Sequence, residues 1–327
     1  MICLAGPPRA QVLMNAVANL LEKSGYLTSV HTIDGGDLLQ CPELSKTSVL
    51  VCTMVPCGAR EMDAMPALRA IVSPLLGYDW IDVEEATRRR VPVVNAEIPE
   101  TRQSMAEATI MLVLALLYRL RDTEAQLRFG AERVQHRKML KGRTLGIVGY
   151  GGISREIIRR LEPWQPKLLV HTQAPPPSGR ETVEFVALEH LLHVSDIVLL
   201  MTGLNERNRH LLDRRLLQSM KPGVLLVNTA RGGLIDEGAL VDALESGHVG
   251  AAALDVFEVE PLAEDHPLRR LPNVILTPHA IGHTDEALEA IPRMVAANVG
   301  QLLSSELPAS CKNKVVEAAW RANSGSA

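Results

Sequence analysis

The length, composition and charge of the chain narrow the class of protein. At 327 residues it is about two domains long. Its 34 Lys and Arg residues against 38 Asp and Glu residues give a net charge of −4. No basic surface for nucleic acid or an anionic membrane is therefore expected. A hydrophobic content of 46% and a charged content of 22% are ordinary for a soluble globular protein and exclude disordered, collagen-like and coiled-coil chains.

The cysteines and the apolar runs indicate a reducing compartment and no membrane segment. The 5 cysteines are an odd number without a C-x-x-C motif, so a disulfide framework is not expected. The start, MICLAGPPRA, has no basic segment before its apolar residues and predicts a strand. The longest apolar run, Ala108–Tyr118, is well short of the roughly 20 residues of a spanning helix. We expect a cytoplasmic protein, and the histidines show no spacing that predicts a metal site.

Short apolar runs alternate with helical patterns in the first hundred residues, which is typical of a parallel α/β domain. The predicted strands are Ile2–Ala5, Val49–Thr53, Ala70–Ser73 and Pro92–Asn95. The predicted helices are Gln11–Lys23, Ala59–Met65 and Val83–Arg90. A longer helical pattern, Arg102–Arg128, is apolar almost all round in its middle. Such a helix is expected to be buried where two domains or two subunits meet.

A second series of strands and helices follows the long helix. Its predicted strands are Thr144–Val148, Lys167–Thr172, Ile197–Met201, Val224–Asn228, Ala251–Leu254 and Val274–Leu276. Its predicted helices are Ile153–Leu161, Leu188–Val194, Asp213–Ser219 and Glu237–Ser246, with a last helix at Asp285–Ser305. Six strands in this alternation are typical of a doubly wound nucleotide-binding sheet.

The two series together predict an α/β fold with two doubly wound parallel-sheet domains. The nucleotide motifs begin only after the long helix, so the first domain is expected to be discontinuous. We predict a Rossmann dinucleotide-binding domain at residues 98–285, inserted into a smaller flavodoxin-like substrate domain formed by residues 1–97 and 286–327.

A glycine-rich turn ends the first strand of the second series. Gly149-Tyr150-Gly151-Gly152-Ile153-Ser154 has the pattern G-x-G-x-x-S, the dinucleotide fingerprint with its third glycine replaced. In that fingerprint, the first glycine makes the tight turn and the second lets the backbone approach the pyrophosphate, which the helix N-terminus then binds. The strand-then-helix context favours nucleotide binding over a plain connecting turn.

The end of the next strand bears on the choice of cofactor. An acidic residue about 20 positions beyond the glycines normally binds the ribose 2′-hydroxyl of NAD. Here the strand ends in Thr172 and Gln173, and no acidic residue lies between Glu162 and Glu181. No carboxylate would then repel a 2′-phosphate, so NADP(H) is the preferred prediction. NAD(H), bound through the backbone and Thr172, remains the alternative. The candidate contacts of the 2′-phosphate are Thr172, Gln173, Ser178 and Arg180.

Three chemically suited side chains stand at the ends of later strands. Arg231 follows Asn228-Thr229-Ala230, Glu260 lies in a loop beginning at Asp255, and His279 follows Thr277-Pro278. In a 2-keto acid reductase, an arginine binds the substrate carboxylate and polarises the carbonyl. A histidine supplies the proton, and a carboxylate orients that histidine and favours its protonated form. We therefore predict these three as the catalytic residues, with Arg231 and His279 also binding substrate.

At these residues the chain resembles the D-isomer specific 2-hydroxyacid dehydrogenases, the family of glyoxylate/hydroxypyruvate reductases and phosphoglycerate dehydrogenases. The resemblance covers about Ala67–Ala290. Its blocks are GRTLGIVGYGGIS, MKPGVLLVNTARGGLIDEGALVDALESGHVGAAALDVFEVEPL and HPLRRLPNVILTPHAIGHT. It implies NAD(P)H-dependent reduction of a small 2-keto acid to the D-2-hydroxy acid, and the reverse oxidation.

The resemblance also implies further contacts. Asp255 would meet the nicotinamide carboxamide, and Leu76 and Gly77 would offer backbone amides to the substrate carboxylate. The chain departs from the family pattern at Ser154 and at Gly203, where a proline is usual. Its loop Ser73-Pro74-Leu75-Leu76-Gly77 does not allow the substrate identity to be transferred. The full predicted cofactor set is Gly149, Gly151, Gly152, Ile153, Thr172, Gln173, Gly203, Asn208, Thr229, Asp255 and Gly282.

Two other functions exist on the same scaffold. A dinucleotide-sensing corepressor is the alternative from another class, although the complete Arg, Glu and His set favours catalysis. Formate oxidation is disfavoured, because that site resembles one with Gln in place of Glu260. The long apolar helix further predicts an isologous homodimer.

Overall fold

A computed structural model describes residues 1–130, 136–176 and 183–324 of the chain. The strands are β1 Ile2–Gly6, β2 Thr28–Thr32, β3 Val49–Cys52, β4 Ala70–Ser73, β5 Val93–Asn95, β6 Thr144–Val148, β7 Lys167–His171, β8 Glu184–Phe185, β9 Ile197–Leu200, β10 Val224–Asn228, β11 Val249–Leu254 and β12 Val274–Leu276. The helices are α1 Gln11–Lys23, α2 Ala59–Asp63, α3 Val83–Arg88, α4 Pro99–Leu117, α5 Leu120–Phe129, α6 Gly152–Leu161, α7 Leu188–Val194, α8 Arg214–Ser219, α9 Glu237–Glu245, α10 Asp285–Leu303 and α11 Glu317–Ser324.

The chain divides into two compact units. The first comprises Met1–Thr101 with His283–Ala327, and the second comprises Arg102–Gly282. The sequence predicts domain boundaries after 97 and after 285, and this assignment of domains stays a prediction. The first division falls inside α4. This helix begins at Pro99, and proline is well suited to the first position of a helix.

The first unit contains a parallel sheet of five strands in the order β2-β1-β3-β4-β5, the flavodoxin-like order. Helices α1 and α10 cover one face through buried side chains such as Met14, Leu21, Val295 and Val299. The core on the opposite face includes Leu38, Met62 and Ala86. Strands β1, β3, β4 and β5 between these layers are buried, as expected for a parallel sheet.

The second unit contains a parallel sheet of seven strands in the order β12-β11-β10-β9-β6-β7-β8. The strand order reverses at β6, which pairs with both β7 and β9. This is the Rossmann arrangement with one further strand at the β12 edge, and ligands of such sheets bind at the reversal point beyond the carboxyl ends of the strands. The predicted fold class is therefore confirmed.

Strands β2 and β8 were not expected from the sequence. Both lie at the edge of their sheets, and their side chains are mostly half-buried or exposed. Half-exposed edge strands lack the continuous apolar run that marks a central parallel strand.

The prediction of a single long helix at Arg102–Arg128 is wrong, because the structure has two helices there. Arg119 adopts a left-handed conformation, with φ of +50°, and separates α4 from α5. The two helices differ in direction by 55°. Within the described residues, no single helix is long and apolar enough to cross a membrane, and only this bent pair meets the criteria of length and composition together.

Candidate active site

The glycine-rich turn connects β6 to α6 at the reversal point of the larger sheet. Gly149 has φ of +109°, and a Cβ on it would lie 2.6 Å from the carbonyl oxygen of Met201 at the end of β9. Only glycine fits there, because the left-handed conformation and the close neighbouring backbone both exclude a side chain. The Gly149 amide also donates to the carbonyl of His171 at 2.8 Å.

The start of α6 has the features of an anion site. A Cβ on Gly151 would meet nothing within 4 Å, so internal packing does not require glycine at this position, and a ligand can approach the backbone there. At Gly152 a Cβ would lie 2.6 Å from Cδ of Arg102 and 3.4 Å from its Nη1. The Arg102 guanidinium therefore lies beside the helix N-terminus, where the helix dipole already favours a phosphate. These residues fit a dinucleotide pyrophosphate.

Arg102 was not identified from the sequence. It lies 50 positions before Gly152 in the chain, and an arginine in the first turns of a helix has no distinctive pattern. Ser154, which replaces the third glycine, is only 1% exposed. Its Oγ donates to the Gly149 carbonyl at 2.9 Å, so its side chain closes the turn from inside.

The end of β7 carries the residues predicted to contact the adenosine ribose. Thr172 and Gln173 directly follow the strand, with Thr172 half-buried and Gln173 exposed. Thr172 Oγ1 accepts a hydrogen bond from the Ala174 amide at 3.4 Å. The other two candidate contacts, Ser178 and Arg180, lie outside the described residues.

Four further predicted cofactor residues follow strands β9, β10 and β12: Gly203, Asn208, Thr229 and Gly282. Asn208 donates through Nδ2 to the Gly203 carbonyl at 2.7 Å and accepts through Oδ1 from the Asn205 amide at 2.7 Å, so its amide shapes this loop. Thr229 is 7% exposed, and its hydroxyl lies 3.0 Å from that of Thr109 on α4.

Gly282 follows β12 and packs tightly against α4. A Cβ on it would overlap the sulfur of Met105. Its carbonyl accepts from Ser104 Oγ at 2.8 Å. The structure therefore gives a packing reason for this glycine in addition to the predicted cofactor contact.

Asp255 joins the ends of β11 and β12. It is 2% exposed, and its Oδ1 accepts from Thr277 Oγ1 at 2.7 Å and from the Ala280 amide at 3.2 Å. These two bonds lie on either side of His279. Asp255 therefore holds the short segment that presents the histidine.

His279 and Glu260 form a close pair. His279 Nδ1 lies 2.7 Å from Glu260 Oε2, with the two side chains 37% and 20% exposed. Since a carboxylate only accepts, Nδ1 is the donor, and Nε2 is the ring nitrogen that can exchange a proton with a ligand. Glu260 Oε1 accepts from the Phe257 amide at 3.1 Å, which fixes the carboxylate within its own loop.

Arg231 stands on the loop after β10, the strand next to β11. Asn228 is fully buried and holds this loop, because its Nδ2 donates to the Arg231 carbonyl at 2.9 Å and its Oδ1 accepts from the Ala230 amide at 3.0 Å. A Cβ on Gly232 would overlap the backbone of Phe257. The loop that carries Arg231 therefore packs directly against the loop that carries Glu260.

Two glutamates, Glu237 and Glu258, hold the loop that carries Glu260. The Glu258 amide donates to Glu237 Oε1 at 2.6 Å, and the Glu237 amide donates to Glu258 Oε1 at 3.2 Å. His210 Nε2 lies 2.8 Å from Glu258 Oε1, and His266 Nε2 lies 3.4 Å from Glu237 Oε2. Burial raises the pKa of the Glu237 carboxyl, although the hydrogen bond from Glu258 and the nearby His266 oppose the shift. Sequence reasoning missed this pair, because a glutamate in the first turn of a helix is common.

Leu76 and Gly77 lie in the first unit, on the loop after β4. Ser73 Oγ donates to the Gly77 carbonyl at 2.6 Å, and Asn95 Nδ2 donates to the Leu76 carbonyl at 2.6 Å. The Leu76 carbonyl and the Gly77 amide belong to one peptide group, so the Asn95 bond fixes the orientation of the Gly77 amide. The predicted role of Leu76 and Gly77 as amide donors to the substrate stays a prediction.

A Rossmann sheet with this glycine-rich turn, and with a histidine–carboxylate pair beyond its strands, defines an NAD(P)-dependent dehydrogenase. Residues 110–280 match the family model described as D-isomer specific 2-hydroxyacid dehydrogenase, NAD binding domain. A glyoxylate reductase of Thermofilum pendens is 36% identical over 273 residues, covering 79% of this chain and 78% of that protein. The chain belongs to the D-isomer specific 2-hydroxyacid dehydrogenase family.

Solved structures agree with this family. A glyoxylate reductase from Paecilomyes thermophila is similar with a TM-score of 0.83 and 28% identity, covering 96% of this chain and 99% of that one. An NADPH-dependent glyoxylate/hydroxypyruvate reductase from Sinorhizobium meliloti, in complex with NADP and malonate, is similar with a TM-score of 0.82 and 26% identity, covering 94% and 96%.

Proposed function

We propose that the chain reduces a small 2-keto acid of the glyoxylate or hydroxypyruvate type to the D-2-hydroxy acid with a nicotinamide cofactor, and catalyses the reverse oxidation. The observation that carries the proposal is the 2.7 Å bond between His279 Nδ1 and Glu260 Oε2. In such a pair the carboxylate orients the imidazole, so that Nε2 can act as a general acid. The glyoxylate reductases among the relatives support the same reaction.

The cofactor would supply the hydride for the carbonyl carbon. Arg231 binds the substrate carboxylate and polarises the carbonyl through its guanidinium. His279 donates the proton from Nε2 to the carbonyl oxygen, which becomes the hydroxyl. Glu260 accepts the Nδ1 hydrogen and so orients the ring.

Steady-state kinetics with a panel of 2-keto acids tests this function. NADPH and NADH are each oxidised in the presence of glyoxylate, hydroxypyruvate, pyruvate and a bulkier keto acid, and the absorbance of the reduced cofactor is followed. The proposal expects the highest kcat/KM with one of the small keto acids. Tight binding of the dinucleotide without turnover of any keto acid would instead favour the corepressor-type alternative.

For the cofactor, we propose a preference for NADP(H). In the sequence no acidic residue stands between the end of β7 and Glu181, and this supports the proposal, because an acidic residue directly after the strand would repel a 2′-phosphate. Thr172 and Gln173 offer neutral donors instead. Equal kcat/KM for NADPH and NADH in the assay above, or a preference for NADH, contradicts the assignment.

We also propose that two chains associate through α4. This helix and the turn after it leave large apolar side chains at the surface of the larger unit: Met111 on α4 is 53%, Tyr118 directly after α4 is 48%, and Leu120 at the start of α5 is 60% exposed. Trp164, 43% exposed, lines the same depression. Burying such a patch against an identical patch is favourable, and a two-fold axis brings like surfaces together.

A further inference from the structure

A cluster of two thiols and one imidazole lies in the smaller unit. The sulfur of Cys3, the sulfur of Cys41 and a ring nitrogen of His31 all lie within 4.8 Å of one another. Cys3 belongs to β1 and His31 to β2, and Cys41 follows a short 3-10 helix at Leu38–Gln40. The three residues are far apart in the sequence, so their spacing carries no recognisable metal motif.

The register of the sheet brings two of these ligands to one face. In the parallel pairing of β1 and β2, Cys3 lies opposite Ser29 and Ala5 lies opposite His31. Alternate residues of a strand point to the same face, so Cys3, Ser29 and His31 share one side of the sheet. The connection between β2 and β3 covers that side and contributes Cys41.

One polar atom of the cluster lacks a hydrogen-bond partner. Within the part of the chain that the structure describes, His31 Nε2 is buried and forms no hydrogen bond, whereas Ser29 and Thr47 share side-chain hydrogen bonds with Cys3. Cys3 and Thr47 are fully buried, and Cys41 is 5% exposed. Buried polar atoms are nearly always satisfied, so an unsatisfied imidazole nitrogen requires a physical reason. A cation bound at the cluster would supply a partner for the imidazole.

We propose that Cys3, His31 and Cys41 bind a zinc ion. Sulfur and imidazole nitrogen are typical ligands of Zn²⁺, whereas hard cations such as Mg²⁺ and Ca²⁺ require oxygen ligands. With Zn–S bonds of about 2.3 Å, two sulfurs of a tetrahedral site lie about 3.8 Å apart. The observed spread of up to 4.8 Å therefore requires only a small contraction. Three protein ligands are present, and a water would complete the four.

The position of the cluster points to a structural role for the ion. The connection between Thr32 and Val49 is 16 residues long and contains only two short 3-10 helices among its described residues. A long connection without regular structure is uncommon in a compact domain. Zinc held by Cys41 and by the two strand residues ties the middle of this connection to the sheet.

Metal binding by the purified full-length chain tests the proposal. The protein is reduced with a phosphine, freed of metal with a chelator and titrated with Zn²⁺ against a chromogenic zinc indicator. Co²⁺ is used as a spectroscopic probe. We expect a single Zn²⁺ per chain, a rise in the temperature of unfolding on binding, and sulfur-to-cobalt charge-transfer absorption with Co²⁺.

Two variants and a control assign the site. Cys41→Ser and His31→Gln should each weaken zinc binding by more than about tenfold, because even changes to groups that only support a metal ligand cost 10- to 100-fold. Cys311→Ser removes a buried thiol elsewhere in the same unit and should bind zinc like the wild type. His31 lies half-exposed on an edge strand, so its variant should fold even if the cysteine variant does not. Absence of zinc binding in the reduced wild type, or equal affinity in His31→Gln, would overturn the proposal.

Discussion

We expect Glu237 to position the loop that carries Glu260, because Glu237 and Glu258 form reciprocal hydrogen bonds. Glu237 Oε1 accepts from the Glu258 amide at 2.6 Å, and Glu258 stands two residues before Glu260 in the chain. Glu237→Ala leaves that amide without its charged acceptor. A hydrogen bond to a charged group contributes about 1.5–3 kcal/mol. The Glu237 side chain is only 12% exposed, but Glu258 is exposed to solvent, which places the effect at the lower end of this range.

Two measurements separate positioning from general stability. Glu237→Ala should lower the free energy of unfolding in urea by about 1.5 kcal/mol. It should also lower kcat for keto acid reduction by about tenfold, because the same free energy no longer holds the loop that carries the histidine's partner. Glu237→Gln keeps an oxygen acceptor for the Glu258 amide and should retain most of kcat. Glu245→Ala, at the exposed end of the same helix, is the matched control. Wild-type kcat in Glu237→Ala would refute the reasoning.

The same residue predicts a dependence of stability on pH. Burial raises the pKa of Glu237 above its ordinary value of 4.5 in the folded chain. A group with a raised pKa contributes its full stability below the unfolded value and loses it as pH rises through the folded value. Wild type should therefore lose stability relative to Glu237→Gln as pH rises from 4.5 through the raised pKa. Urea unfolding of both proteins across this range measures the difference, and parallel curves would contradict it.

The remaining predictions concern the proposed reaction, the cofactor and assembly. His279→Ala should lower kcat for keto acid reduction by roughly 10²–10⁴, the usual contribution of general acid catalysis. Thr172→Asp should weaken NADPH binding far more than NADH binding in fluorescence titrations. Met111→Glu should convert a dimer into a chain sedimenting at 35.7 kDa, and a wild type that sediments as a monomer contradicts the assembly.

Residues that follow strands were the most predictable part of the candidate site. In a parallel sheet the carboxyl ends of neighbouring strands meet at one edge, so Arg231, Glu260 and His279 could be grouped from the chain order of their strands alone. The structure places β10, β11 and β12 side by side, and His279 contacts Glu260 directly. The fold class was predictable for the same reason, since buried parallel strands produce continuous apolar runs.

The elements that could not be predicted depend on local backbone or on edge exposure. The break at Arg119 requires a left-handed arginine, which no helix propensity indicates, since arginine is a good helix former. The Arg119 Nε donates to Asp122 at 2.7 Å, an interaction visible only once the chain has turned. Strands β2 and β8 were missed because each is an edge strand with half-exposed side chains.

The supporting contacts of the candidate site were hidden because each joins residues that are distant in sequence. Glu237 and Glu258 are 21 positions apart, and each is an ordinary surface residue when its sequence neighbours alone are considered. The two residues can meet because Gly232 lets the β10 loop pack on the backbone at Phe257. This packing brings the start of α9 to the Glu260 loop. Exchanging that glycine for any larger residue would separate the two loops. A residue without a side chain therefore determines where the carboxylate of Glu260 can stand.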